Sequence, residues 1–364
     1  MARHVFMTGF PGFIASQLVD RLATRDGDMA FTFVVQEHMR SHAEAAVAKL
    51  DAAHRGLAGR TRLVNGDITK QWLGMDEATY KKLAAEITNV WHLAAVYDLA
   101  VPEAVAYRVN VIGTSNVLDL CQDAKRLERL DYVSTCYVSG QRGGRVLENE
   151  LDEGQTFKNH YESTKCWAEM EVRRRMHRLP VCIHRPGIVV GDSRTGDTDK
   201  YDGPYFVINL FMRLPGWLPM VNIGDGKARV NIVPVDFVVD AMAALMFEPK
   251  AIGQTVALAD PSPHTAREII EGLLEVLGRG KPLANVPAGM VEKALDVDRL
   301  RQLVKVPREA VIYFNHQVEY DTSNQQRLLA GTGVRCPDLI EILPTLVDYV
   351  KRNPDKQFLD GRRF

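Results

Sequence analysis

The sequence predicts an α/β protein: a doubly wound parallel sheet with a smaller, mostly helical carboxy-terminal lobe. Short apolar segments alternate with helical patterns through the first half of the chain. A glycine-spaced turn joins the first of those segments to the first helix. After Gly191 the alternation fades into polar loops, prolines and weaker helical spacing.

In order, Arg3–Met7 reads as a first strand and the turn after it opens a helix running to about Ala23. Phe31–Val35 is β-branched or aromatic throughout, which suits a buried strand. An alanine-rich helix (Ala43–Ala53) leads to a third strand and its exit, Arg62–Asp67. Val90–Ala95 is the fourth strand, Glu103–Ala124 a helix, and Leu130–Thr135 the fifth strand. Glu162–Arg178 reads as a charged amphipathic helix, which Pro180 ends ahead of the strand Val181–His184. Asp192–Gly203 is a polar loop, followed by helical segments near Phe206–Leu214, Val235–Phe247 and Ala266–Leu277.

The chain has 364 residues, 46% of them hydrophobic and 25% charged, which fits a globular protein with a sizeable core. A formal net charge of −1 and a pI near 6.8 argue against nucleic acid as a partner. No apolar run reaches the roughly 18 residues of a membrane span. Met1–His4 leads into a strand, so no signal-peptide core is expected. Five scattered cysteines without a C-x-x-C pair read as a reduced, cytoplasmic protein, with no disulfide framework and no metal site.

Gly9, Gly12 and Ala15 have the spacing G-x-x-G-x-x-A between strand and helix. Glycine at the first two positions lets the backbone turn sharply and lie against a pyrophosphate, whose charge the helix amino terminus favours. With a second strand about 20 residues on, this is the context of a Rossmann-type dinucleotide site. The residues after Val35 leave the choice of dinucleotide open. Glu37 favours a free ribose hydroxyl, and so NADH, whereas Arg40 and His38 favour the 2′-phosphate of NADPH.

Tyr161 and Lys165 stand four residues apart at the start of a helix, one turn apart on one face. The ammonium is expected to lower the phenol's pKa and fit it to exchange a proton with an oxygen on a reacting carbon. Ser134-Thr135 ends the fifth strand about 26 residues earlier, and so should meet the pair over the crevice where such sheets bind ligands.

Taken together, these segments resemble an extended short-chain dehydrogenase/reductase. Thr8–Ala15 is similar to that family's T-G-x-x-G-x-[IL]-[GA] turn, and Gly66-Asp67-Ile68 to its adenine-contacting segment. His92-Leu93-Ala94-Ala95 resembles the strand end beside the nicotinamide ribose, and Val109–Thr114 the helix carrying a structural asparagine, here Asn110. Measured back from Gly140, Thr135 falls on the family's catalytic hydroxyl. The finer resemblance is to the male-sterility-type branch, which holds fatty acyl-CoA reductases and thioester reductase domains. Thr8–Phe13, Val133–Val138, Asn159–Lys165 and Arg185–Ser193 carry it.

The resemblance implies catalysis by Thr135, Tyr161 and Lys165, with hydride passing from NADPH, or NADH, to the carbonyl of an acyl thioester. It implies cofactor contacts from Thr8, Gly9, Phe10, Pro11, Gly12, Phe13 and Ile14, from Asp67 and Ile68, and from Leu93, Ala94 and Ala95. Arg40, Asn110, Ser134, Tyr161, Lys165, Pro186, Gly187 and Ile188 complete that set. The dinucleotide-binding part is then residues 1–191 plus part of 230–260, and 192–364 is mainly the substrate lobe. The acyl group is expected on coenzyme A or a carrier protein. The apolar stretch Tyr205–Met212 with Leu214–Met220 is a candidate acyl channel or peripheral membrane contact, with plain core the commoner use of such a segment. Arg173–Arg175 and Arg178 could meet a carrier's phosphates, but a solvated helix face balanced by Glu169 and Glu171 is the simpler account. The alternatives on the same fold are a hydroxysteroid-type alcohol/ketone dehydrogenase and a nucleotide-sugar epimerase or dehydratase. Chain length of the acyl group, end product and oligomeric state are not encoded legibly.

Overall fold

A computed structural model describes residues 3–98, 101–215, 220–282, 284–286 and 313–356. The first half alternates as expected: β1 (His4–Thr8), α1 (Phe13–Arg25), β2 (Ala30–Val35), α2 (Arg40–Ala53), β3 (Thr61–Asn65), α3 (Glu77–Glu86) and β4 (Asn89–His92). Next come α4 (Glu103–Ala106), running through a π-helical stretch (Tyr107–Ile112) into α5 (Gly113–Asp123), and then β5 (Arg129–Val133). The short β6 (Gly144–Val146), the helix α6 (His160–Arg175), β7 (Val181–Pro186) and β8 (Ile188–Val190) follow. Beyond them lie α7 (Pro204–Arg213), β9 (Val221–Ile223), β10 (Ile232–Pro234), α8 (Val235–Met246), β11 (Thr255–Leu258) and α9 (Ala266–Val276). The last described elements are β12 (Ala284–Val286), β13 (Val318–Tyr320), α10 (Ser323–Leu329) and α11 (Leu339–Arg352).

Seven strands form one parallel sheet in the order β11-β7-β5-β4-β1-β2-β3. Period-two alternation gives each strand two buried faces. Val5 and Met7 of β1 join the core under α1 and α8, while Phe6 joins the core under α3, α5 and α6. A third apolar cluster unites α7, α9 and α11 beyond the sheet. The strand order reverses between β1 and β4, and there the carboxyl ends of the strands splay to leave a crevice.

Leu328 and Leu329 of α10 are buried in the same core as α8 and β11. The apolar stretch in α7 turns Tyr205, Val207, Ile208 and Phe211 into the third core. Gly216–Pro219, including Trp217, lie outside the described residues. No helix among the described residues is long and apolar enough to cross a membrane. All five cysteines are free thiols.

Candidate active site

A cleft of about 1290 Å³ opens over the switch point and is walled by the exits of β1, β2, β3, β4, β5 and β7. The glycine turn forms its floor. Gly9 sits at φ +88°, and a Cβ there would meet the Ala94 nitrogen at 2.8 Å, so only glycine lets the turn close on the β4 exit. Phe10 stacks on Phe33 with ring centres 4.0 Å apart. Gly12 caps α1 without any side-chain hydrogen bond. The first N–H groups of that helix therefore face the cleft uncapped, as an anion site requires.

The β4 exit is fixed by a chain of hydrogen bonds. The Ala94 N–H donates to Thr8 Oγ1 at 3.1 Å, and Thr8 Oγ1 lies 2.7 Å from His92 Nδ1. His92 Nε2 lies 2.9 Å from Thr114 Oγ1, which donates to the Asn110 carbonyl at 2.6 Å. One proton arrangement satisfies every member: Thr8 donates to Nδ1, and Nε2 carries the proton given to Thr114. Burial pushes the His92 pKa down to about 3, so the ring is neutral as this chain demands.

Lining the cleft are Thr8 to Ile14, Asp67, Ile68, Leu93, Ala94, Ala95, Ser134, Thr135, Tyr161, Lys165, Pro186, Gly187 and Ile188. Arg40 and Asn110 are not among the lining residues. The Arg40 guanidinium donates to Asn65 Oδ1 (2.7 Å) and Glu44, while Glu37 accepts from Asn65. Asn110 is buried and grips the backbone of Val96 on both sides, accepting from its N–H at 2.9 Å and donating to its carbonyl at 3.3 Å. It shapes the wall from behind. Ser134 belongs to the lining, but its hydroxyl is spent on Glu169 Oε2 at 2.6 Å.

The Tyr161 phenol and the Thr135 hydroxyl both line the cleft, and Thr135 Oγ1 accepts from the Tyr137 N–H at 3.2 Å. Two features depart from the sequence reading. Lys165 is buried and donates to Tyr132 Oη (3.0 Å) and the Val133 carbonyl (2.7 Å) rather than to Tyr161. Burial raises the Tyr161 pKa, only partly offset by Thr135, so the expected lowering by Lys165 does not occur. Burial also pushes Lys165 down to about 7 against the pull of Glu169.

Glu169 is fully buried rather than solvated. Its carboxylate takes Ser134, a two-point contact from Arg185 (2.7 and 3.0 Å) and Arg173 at 3.0 Å. Burial opposes the charge, yet Arg185 and Arg173 hold the carboxyl below the usual range. Arg174 and Arg175 pair with Glu171 and Asp119. Below the sheet, Asp131, Cys182 and His184 converge, but Arg129 grips both oxygens of Asp131 (2.8 and 2.9 Å) and His184 takes one of them. Arg129 and His184 together hold the Asp131 carboxylate, while the buried His184 Nδ1 has no hydrogen-bond partner among the described residues.

The sequence reading missed Gln36, Val96, Tyr97, Tyr137, Lys200, Tyr313 and Phe314, all of which line the cleft. Tyr97 sits edge-on to Tyr161 with ring centres 5.0 Å apart. Tyr97 and Tyr137 lie two residues beyond motif positions and could have been found. Tyr313 and Phe314 carry no sequence signal.

A glycine turn at a strand-order reversal, with a phenol and a hydroxyl lining the same cleft, makes a Rossmann-type crevice suited to a dinucleotide. Residues 7–242 match the model of the male sterility protein family, and the chain belongs to that family. It is 29% identical over 286 residues to L-2-aminoadipate reductase of Saccharomyces cerevisiae, covering 72% of this chain and 20% of that protein. It is 25% identical over 274 residues to the fatty acyl-CoA reductase wat of Drosophila melanogaster, covering 66% of this chain and 53% of that protein. The chain thus spans about half or less of the length of these relatives. Among solved structures, the terminal R domain from the myxalamid PKS-NRPS pathway has a TM-score of 0.82 at 28% identity, covering 97% of this chain and 91% of that one.

Proposed function

We propose that this chain reduces acyl thioesters, carried on coenzyme A or a carrier protein, to aldehydes with NADPH as the reductant. The observation that carries the reading is that Tyr161 and Thr135 line the same cleft as the glycine turn, with the phenol held protonated by burial. The uncapped α1 terminus and the close Gly9 turn fit a pyrophosphate, and a bound nicotinamide dinucleotide would supply hydride. The wall after β2 presents Gln36 and His38, while the Glu37 carboxylate is held by Asn65. Without an acid for the ribose hydroxyl, that wall supports NADPH over NADH.

Tyr161 and Thr135 are suited to hold the substrate's carbonyl oxygen and to stabilise the negative charge it gains, commonly the largest catalytic term. A protonated phenol is the form reduction needs, since it donates rather than withdraws a proton. Loss of thiol from the resulting hemithioacetal gives the aldehyde. Lys165, near the Tyr132 and Val133 side of the cleft, is suited to hold ribose hydroxyls.

The reading is tested by incubating the protein with NADPH or NADH and a set of acyl-CoA esters, aldehydes and ketones, following absorbance loss and identifying products by mass spectrometry. Thioester-dependent oxidation with aldehyde or alcohol product supports it. Rapid consumption with ketones or aldehydes and none with thioesters would replace it by the dehydrogenase alternative.

A further inference from the structure

Two adjacent residues far along the chain, Tyr313 and Phe314, line the cleft. Tyr313 is tied to the start of α6: its hydroxyl donates to Glu162 Oε1 at 2.8 Å and accepts from Asn159 Nδ2 at 2.9 Å. Its ring stands edge-on to Tyr137, with centres 4.9 Å apart. Glu162 is buried and adjoins Tyr161 in sequence, so this tie fixes the Tyr313–Phe314 segment relative to the reacting end.

Phe314 comes next and is buried. It lines the cleft on one side and a second, separate void of about 20 Å³ on the other. Val207, Ile269, Leu343 and Leu346 line that void, and its described lining is apolar throughout, so it has nothing to hold a water. Pro204, at the start of α7, is the other described residue that lines both spaces. A ring thus separates the substrate end of the cleft from an apolar space leading into the third core.

We propose that Phe314 is a specificity-determining residue that limits the length of the acyl chain, with Tyr313 as the positioning residue that holds it there. The inference rests on the thioester reading and narrows it to compact acyl groups. A longer straight chain meets the ring, and the packed core of α7, α9 and α11 gives little room for the ring to retreat. Removing the ring joins the void to the cleft and opens a dry path for further methylenes.

The test is kcat/KM for the wild type, Phe314→Ala and Phe314→Leu over straight-chain acyl-CoA esters from butyryl to palmitoyl, and over the matching aldehydes. The proposal expects Phe314→Ala to move the optimum to longer chains, gaining about fourfold per added methylene over the first few past the wild-type limit. Phe314→Leu should shift the optimum in the same direction by less, which covers an Ala variant that folds poorly. Tyr313→Phe should broaden the chain-length profile toward longer chains by less than Phe314→Ala does. The same optimum in a Phe314 variant that still turns over the shortest substrate overturns the proposal. If both proteins reduce aldehydes and neither reduces any thioester, the thioester reading fails, and the aldehyde series alone decides the role of Phe314.

Discussion

Two helices frame the cleft, and they use their residues in opposite ways. α1 buries Ala15, Leu18, Val19 and Leu22 in an apolar stripe and offers the ligand only backbone. α6 buries Glu162, Lys165 and Glu169 on its inner face, each matched to a partner far away in sequence. The first helix obeys the pattern rule that apolar means inside, and its function needs only glycines and a free amino terminus. The second breaks that rule because its side chains hold the strand ends and the carboxy-terminal segment in place around Tyr161. Buried charge is tolerated where every oxygen and nitrogen is answered, which is the case at Glu169.

The largest effect should come from breaking that match. Glu169→Ala strands the buried Arg185 guanidinium and should cost about 3–5 kcal/mol of stability, read by chemical denaturation. A loss under about 1 kcal/mol would mean that the charges of α6 are as dispensable as surface charges. Gly9→Ala tests the other helix. A Cβ 2.8 Å from the Ala94 nitrogen at φ +88° should cost about 1–3 kcal/mol and weaken cofactor binding at least about tenfold in a dye-displacement or fluorescence titration.

The difference between side-chain and backbone binding also predicts a pH signature. Burial pushes Lys165 down to about 7, so on the proposed ribose-holding role the free enzyme must take up a proton above that pH before cofactor binds. Cofactor Kd should therefore rise by up to about tenfold per pH unit above 7 and level off below it. Lys165→Met should bind more weakly with no such slope; an identical slope in that variant would assign the proton elsewhere. The smallest effect belongs to the outer face of α6. Arg174 is 68% exposed and, among the described residues, pairs with Glu171, so Arg174→Ala should change stability by less than about 1 kcal/mol.

The same contrast explains what could be read without coordinates. Strands with buried faces on both sides, such as Phe31–Val35, announce themselves as continuous apolar runs, and the glycine turn announces its backbone conformation. β11 is four residues long and begins with a threonine, and α11 carries Pro344 within it, so neither gave a clean period. Thr135, Tyr161 and Lys165 were legible as residue types at a spacing, and they line one cleft. The direction of the Tyr161 shift was not legible, because its burial involves residues such as Tyr97 that fold in from elsewhere. The same applies to Glu169, whose charge in the sequence points to solvent while Arg185 and Ser134 draw it inside.

Single-turnover reduction of an acyl-CoA by Tyr161→Phe, beside a titration of its cofactor affinity, reaches the central claim most directly. The account predicts a rate at least about a hundredfold below wild type, the scale of losing one charge-stabilising donor, with cofactor Kd within about threefold. A Tyr161→Phe protein that reduces the thioester at nearly the wild-type rate would contradict it.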